Sequence, residues 1–246
     1  MSSIKKVFFK VFFVFLFTSP IFGPILAWGG GIDLHKLTQG QAQFRDLSKE
    51  LGMAISYVPS SPAEPLGITG FDVGIEITSV PIHEDKIFKD IVSTPPSTIL
   101  LPKLHVQKGL PFGIDIGAVY TSVPGLDFAI LGGEIKYALL SGNAAIPALA
   151  IRLAGTKLTG VNSLDLNTVS ADLSLSKGVL FVTPFLGFGV VQTTATEKAG
   201  LNLKEEKQQS SKPFIGVKIS LALINFVAEA DFSETPLYTL RANVGW

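Results

Sequence analysis

Apolar and polar side chains take turns along most of this chain. From Gly52 onward the period is two, which puts successive side chains on opposite faces of an extended strand. Phe71, Val73, Ile75 and Ile77 alternate with Asp72, Gly74, Glu76 and Thr78. Ile114, Ile116 and Ala118 alternate with Gly113, Asp115 and Gly117, and Ile135, Tyr137 and Leu139 with Glu134, Lys136 and Ala138. The same pattern predicts strands through Leu149–Ala154, Val169–Ser176 and Ile215–Leu221, and a last one with Tyr238, Leu240, Ala242, Val244 and Trp246 on its apolar face. One earlier segment, from about Gln39 to Leu51, reads as a helix: Phe44, Leu47 and Leu51 share a face, and Gly52 is placed to end it.

An alternating strand suits a soluble sandwich or barrel with its apolar face inside, or a membrane barrel with that face toward lipid. The polar faces decide for the membrane. They are rich in Gly, Ala and Ser, as a narrow lumen requires, and carry scattered charges of both signs. The inward set is Asp72, Glu76, Asp115, Glu134, Asp172, Glu229 and Asp231 against Lys103, Lys136, Arg152, Lys218 and Arg241. Charges inside a barrel favour partners, so internal pairing is expected over a strongly ion-selective pore.

Counted back from Trp246, the connections near 233–236, 194–212, 156–165, 123–127 and 80–98 share one side, and tighter ones near 223–225, 176–179, 141–146 and 107–111 the other. Outer-membrane barrels have longer external loops and short periplasmic turns. The expectation is an antiparallel transmembrane β-barrel of ten strands from about Gly70 to Trp246, with both ends in the periplasm. A candidate strand Met53 to Val58 would be an eleventh and break the even count. Either it joins the preceding helix as a plug or periplasmic piece, or a further strand makes twelve. The uncharged stretch 178–196 is long enough for a membrane helix, but Gly178, Pro184, Gly187 and Gly189 favour a strand.

The first residues read as a secretory signal: Lys5 and Lys6, an apolar core from Val7 to Phe17, and Ala27 as the small residue before cleavage, with an uncleaved anchor as the rival. The expected organisation is a signal peptide over 1–27, an N-terminal segment over 28–60 and a barrel over 61–246. Removing three lysines leaves 17 basic against 20 acidic groups, and with no basic run nucleic acid is not an expected partner. Charged residues are only 16% of the chain, so a large apolar surface must be hidden from water. No cysteine is present, which excludes disulfides, thiolate zinc sites and a cysteine nucleophile.

The final aromatic Trp246, with Val244, Ala242, Leu240 and Tyr238 at every second position, resembles the terminal strand of bacterial outer-membrane barrels. In those proteins the strand is recognised by the barrel assembly machinery. That resemblance implies outer-membrane lipid and the assembly machinery as partners. The runs Pro62 to Gly74, Ser176 to Gly178 and Thr183 to Gly187 look like a family of bacterial outer-membrane β-barrel proteins that carry no assigned activity. The resemblance spans nearly the whole mature chain and implies location and fold, not chemistry.

Candidate chemistry is sparse. Neither a metal-binding helix motif nor a nucleophile elbow nor a phosphate loop accompanies His35, His83 and His105, so no cofactor is expected. Gly187, Phe188 and Gly189 lack the rest of a dinucleotide fingerprint and read as close strand packing. His105 shares the inward face with Lys103 and Gln107, and a hydrolase would need a serine within hydrogen-bond reach of it. The reading is a non-enzymatic barrel with a structural or narrow-channel, small-solute role. A hydrolase acting on lipid or peptide, and a soluble periplasmic β protein holding an apolar ligand, are the alternatives.

Overall fold

The computed structural model describes residues 34–37, 40–81, 98–122 and 128–246. The expected signal peptide, His83 with its charged neighbours, and residues 123–127 lie outside them. Ten strands close into one antiparallel barrel: β1 (Phe71–Pro81), β2 (Thr98–Gly109), β3 (Ile114–Ser122), β4 (Ala129–Leu140), β5 (Ala148–Thr159), β6 (Leu164–Ser176), β7 (Val182–Glu197), β8 (Glu206–Leu221), β9 (Ile224–Asp231) and β10 (Leu237–Gly245). Each strand pairs with its sequence neighbours, and β10 closes on β1 from Asp72↔Gly245 to Ser79↔Tyr238. Closure leaves no strand edge without a partner in hydrocarbon. Trp246 seals the seam, its amide donating to the Phe71 carbonyl at 3.1 Å and its ring meeting Phe71 edge to face at 4.3 Å.

The apolar half of each strand faces out. Leu131, Leu153, Val169, Phe188 and Leu240 are exposed, while Lys136, Arg152, Glu76 and Asp115 are buried. This is the inverse of a soluble protein, and it overturns the soluble alternative with a dry interior.

The C-terminal ends of β1, β3, β5, β7 and β9 lie at one rim, here the loop end; those of β2, β4, β6 and β8 lie at the other, the turn end. Two boundaries differ from expectation. The polar stretch 194–212 is mostly strand, because Thr193 to Ala195 and Glu206 to Gln208 continue the β7–β8 ladder beyond the apolar band. Met53 to Val58 is not a strand. It comprises the last turn of helix α1 (Gln41–Ile55) and the start of an extended stretch.

Gly52 does not end the helix. It lies within α1, where a β-carbon would stand 2.2 Å from the Thr193 hydroxyl, so its role is close approach to β7. The helix stops where Ser56 turns extended, at φ −58° and ψ 151°.

Helix α1 sits in the loop-end mouth. Its apolar face, Phe44, Leu47, Leu51, Ala54 and Ile55, packs on inward residues near that rim, including Val80, Leu101, Ile130, Leu166, Ala195 and Leu237. From Ser56 the chain runs down inside the barrel to Gly70, where the Gly109 amide meets the Gly70 carbonyl at the turn end, and then enters β1. The barrel's two ends lie together at the turn end as expected, but the chain before β1 crosses the whole lumen to the opposite mouth.

Candidate functional site

Among the described residues, buried polar chemistry concentrates in the lumen, and the strand register builds it. Charged residues at alternate positions on β1 to β6 and β8 to β10 point inward and form a belt. Their registers set partners side by side: Glu76 faces both Arg241 and Lys103, Asp115 faces Lys136, and Arg152 lies between Lys136 and Asp172. Strand β7 contributes no charge to this belt. Its Gly189 stands in register between Asp172 and Lys212, and Gly187 makes room for the Phe214 ring, which would lie 2.3 Å from a β-carbon. Those glycines serve close packing, as expected.

The ion pairs are short and buried. Lys103 Nζ meets Glu76 at 3.0 Å, Lys136 Nζ meets Asp115 at 3.0 Å, and Arg152 Nε meets Glu134 at 2.7 Å. Arg152 also approaches Asp172 at 3.8 Å, and Arg241 pairs with Asp72, which accepts from Asn243 as well. The expected pairing of luminal charges is therefore present. A sixth base belongs to it: Lys212, which the loop reading assigned to an external segment, is buried 3.7 Å from Asp231. Lys218 is partly exposed, while the Asp172 side chain is only 5% exposed.

The belt also grips the chain that runs through it. Lys136 donates to the carbonyls of Pro62 and Glu64, both at 3.0 Å, Arg241 to that of Ser60 at 3.1 Å, and Lys212 to that of Tyr57. In the other direction, the Ser60 amide donates to Glu229 at 2.8 Å, the Leu66 amide to Asp115 at 3.1 Å and the Ala63 amide to Ser176 Oγ at 3.1 Å. Arg152 and Gln107 reach the Ser61 hydroxyl. An extended peptide without a strand beside it has no ladder to satisfy its backbone, and a buried unpaired group costs about 1–3 kcal/mol. The inward side chains supply the missing partners.

Tyr57, Ser60, Ser61 and Lys212 were missed in the strand-by-strand reading. The signal available was Pro59, Pro62 and Pro65 in Tyr57 to Gly70. Three prolines remove amide donors and forbid both a helix and a central strand, so a surplus of carbonyls needs cations nearby.

His105 stands in this network, not beside a serine. Its Nδ1 is 3.1 Å from Glu76 Oε2 and its Nε2 is 2.8 Å from the Tyr57 hydroxyl. With Nδ1–H donating to the carboxylate, Nε2 of the neutral ring accepts from Tyr57. All three side chains are buried, His105 completely. The chain Tyr57, His105, Glu76, Lys103 fastens the threaded segment to β1 and β2. Among the described residues no group of three or more His, Asp or Glu side chains is arranged to hold a metal ion. His35 is exposed near the loop end.

The terminal-strand residues Tyr238, Leu240, Ala242 and Val244 face outward on β10, with Tyr238 near the loop-end rim and Trp246 at the other. An apolar exterior and a charged, occupied interior make this a transmembrane barrel of the bacterial outer-membrane type.

No family model matches the sequence, and no curated protein matches it. Solved structures of similar shape include a loop-deletion mutant of OmpT, an outer membrane protein of Vibrio cholerae, at 13% identity and a TM-score of 0.34, covering 60% of this chain and 54% of that one. This chain thus spans about half the length of the Vibrio protein. The N-terminal β-barrel domain of Pseudomonas aeruginosa OprF is 11% identical, with a TM-score of 0.35 over 71% of this chain and 97% of that one. The KdgM porin, solved in complex with disordered oligogalacturonate, is 6% identical, with a TM-score of 0.38 over 72% and 99%.

Proposed function

We propose that the chain is a self-plugged barrel of the bacterial outer membrane with a structural, non-catalytic role, presenting its loop end and N-terminal segment to the exterior. The observation that carries this reading is the grip of Lys136, Arg241 and Lys212 on the backbone of residues 57–64. A segment held by buried, charge-assisted hydrogen bonds stays seated. The lumen is then a socket, and a small solute passes only when the segment leaves. Planar-bilayer recording tests this. The intact barrel is expected to be silent, and a variant lacking residues 41–66 to conduct; regular channel events from the intact, heat-modifiable protein would overturn it in favour of the narrow-channel role.

The burial of His105 with Tyr57 and Glu76 supports a non-catalytic reading. Lipid or peptide hydrolysis by the folded barrel that His105→Ala abolishes would restore the hydrolase. The outward alternation ending in Trp246 supports recognition by the assembly machinery and a place in the family of outer-membrane barrels that the sequence resembles. Deleting Trp246 is expected to lower the yield of assembled barrel in cells while leaving refolding in detergent intact.

A further inference from the structure

The turn end carries an unusual set of side chains for a surface assigned to water. Each of its four turns exposes a large apolar residue: Phe112, Ile146, Leu180 and Leu223. Phe112 and Leu180 are 89% and 96% exposed, more than any other large apolar side chain among the described residues. Both also hold left-handed backbone, at φ 65° and 56°, where the β-carbon is crowded and glycine or asparagine is the usual occupant. Among the described residues of the loop end, Val161, Leu201 and Leu203 instead pack on the cluster around α1, while Phe232 is exposed.

The height of the apolar exterior says what covers the turns. On β5, β6 and β7 the outward apolar runs are Leu149–Leu153, Val169–Leu175 and Pro184–Val190, and toward the loop end they give way to Lys157, Asn167 and Gln192. At about 3.3 Å per residue and a tilt near 40°, such runs rise only about 10 to 15 Å, against an apolar band of about 25 Å. Beyond Gln192 the outward positions of β7 and β8, among them Thr194, Lys207, Gln209 and Ser211, are polar, so on this side of the barrel the band does not extend toward the loop end. On β4 and β10 the outward apolar runs Leu131–Leu139 and Tyr238–Trp246 are longer, at about 20 Å. Around β5, β6 and β7 the band reaches its full height by covering the turns.

Some of the polar groups at this end have partners within the chain. Lys177 donates to the carbonyls of Asn143 and Ala144, both at 2.8 Å, and Asn143 Oδ1 accepts from the amides of Ala145 and Ile146 at 2.8 and 2.9 Å. Lys108 likewise meets the carbonyls of Ile68 and Gly70 at 2.7 and 2.9 Å.

We propose that the turn end is a membrane-inserting surface, with Phe112, Ile146, Leu180 and Leu223 seated among the acyl chains of the inner leaflet, so that the barrel sits low in the bilayer. This rests on the reading of the chain as a membrane barrel. Because the chain has no cysteine, single labels report cleanly. Full-length Leu180→Cys and Phe112→Cys, labelled with bimane in vesicles of phosphatidylethanolamine and phosphatidylglycerol, are expected to lose at least half their fluorescence when the acyl chains are brominated and little to aqueous iodide. Ile151→Cys, in the middle of the band, is the reference. If Ile151→Cys responds to bromine while Leu180→Cys and Phe112→Cys respond only to iodide, the insertion is wrong and the membrane barrel stands. If Ile151→Cys also fails to respond, both fall. Leu223→Cys supplies the same reading from another turn should a labelled variant fail to fold.

Discussion

The two halves of the lumen hold one segment by opposite means. At the loop end, α1 has satisfied its own backbone, so it closes the mouth with Phe44, Leu47 and Leu51 against Leu101, Ile130 and Leu166. Below Ser56 the same chain is extended and has no ladder, and there the barrel wall turns from apolar to charged. The difference teaches that the wall is matched to the conformation inside it. A helix needs an apolar socket, whereas a lone extended peptide needs donors and acceptors at every step.

The largest effect is expected from breaking the charged half. Arg152→Ala leaves Glu134 and Asp172 buried without their cation and should cost about 3–5 kcal/mol, read as a lower urea midpoint for loss of the heat-modifiable band in vesicles. An unchanged midpoint would mean that water reaches these carboxylates. Phe44→Ala attacks the apolar half, where a buried phenylalanine is worth about 3 kcal/mol or more. It should speed hydrogen exchange of the α1 amides roughly a hundredfold while the urea midpoint of the strands barely moves. If strands and helix loosen together, the two halves are one cooperative unit and the contrast between them is lost.

Smaller effects sharpen the boundary between the halves. Tyr57→Phe removes the hydroxyl that His105 Nε2 contacts at 2.8 Å; leaving a buried acceptor unpaired should cost about 1–3 kcal/mol. The nitrogen shifts of the His105 ring would report the lost bond directly. The smallest change is expected at the rim, where Lys49 pairs with the exposed Glu234. Lys49→Ala should alter stability by no more than about 0.5 kcal/mol, and a large loss there would mean that the rim contacts, not the apolar face, hold α1 in place.

Much of the barrel was legible without coordinates, because a strand in a membrane wall states its two faces residue by residue. Ile135, Tyr137 and Leu139 could face only lipid once Glu134 and Lys136 faced the lumen, and alternation together with loop lengths gave the ten strands, with twelve as the alternative. The luminal site was half legible. The inward charges Asp72, Glu76, Lys103, Asp115, Glu134, Lys136, Arg152, Glu229 and Arg241 could be named, but their second set of partners could not. Lys212 was hidden because its polar neighbours read as a loop, and Gly52 because a glycine after an apolar face reads as a stop.

Local periodicity therefore determined the strands, their lipid-facing side and the charges turned inward, since each depends only on side chains two positions apart. Only the tertiary structure decided that residues 56–66 lie inside the barrel. Nothing in that segment alternates, and its partners Lys136, Ser176, Lys212 and Arg241 are far from it in sequence. Its place is set by where the closed wall leaves carbonyls and amides to be satisfied.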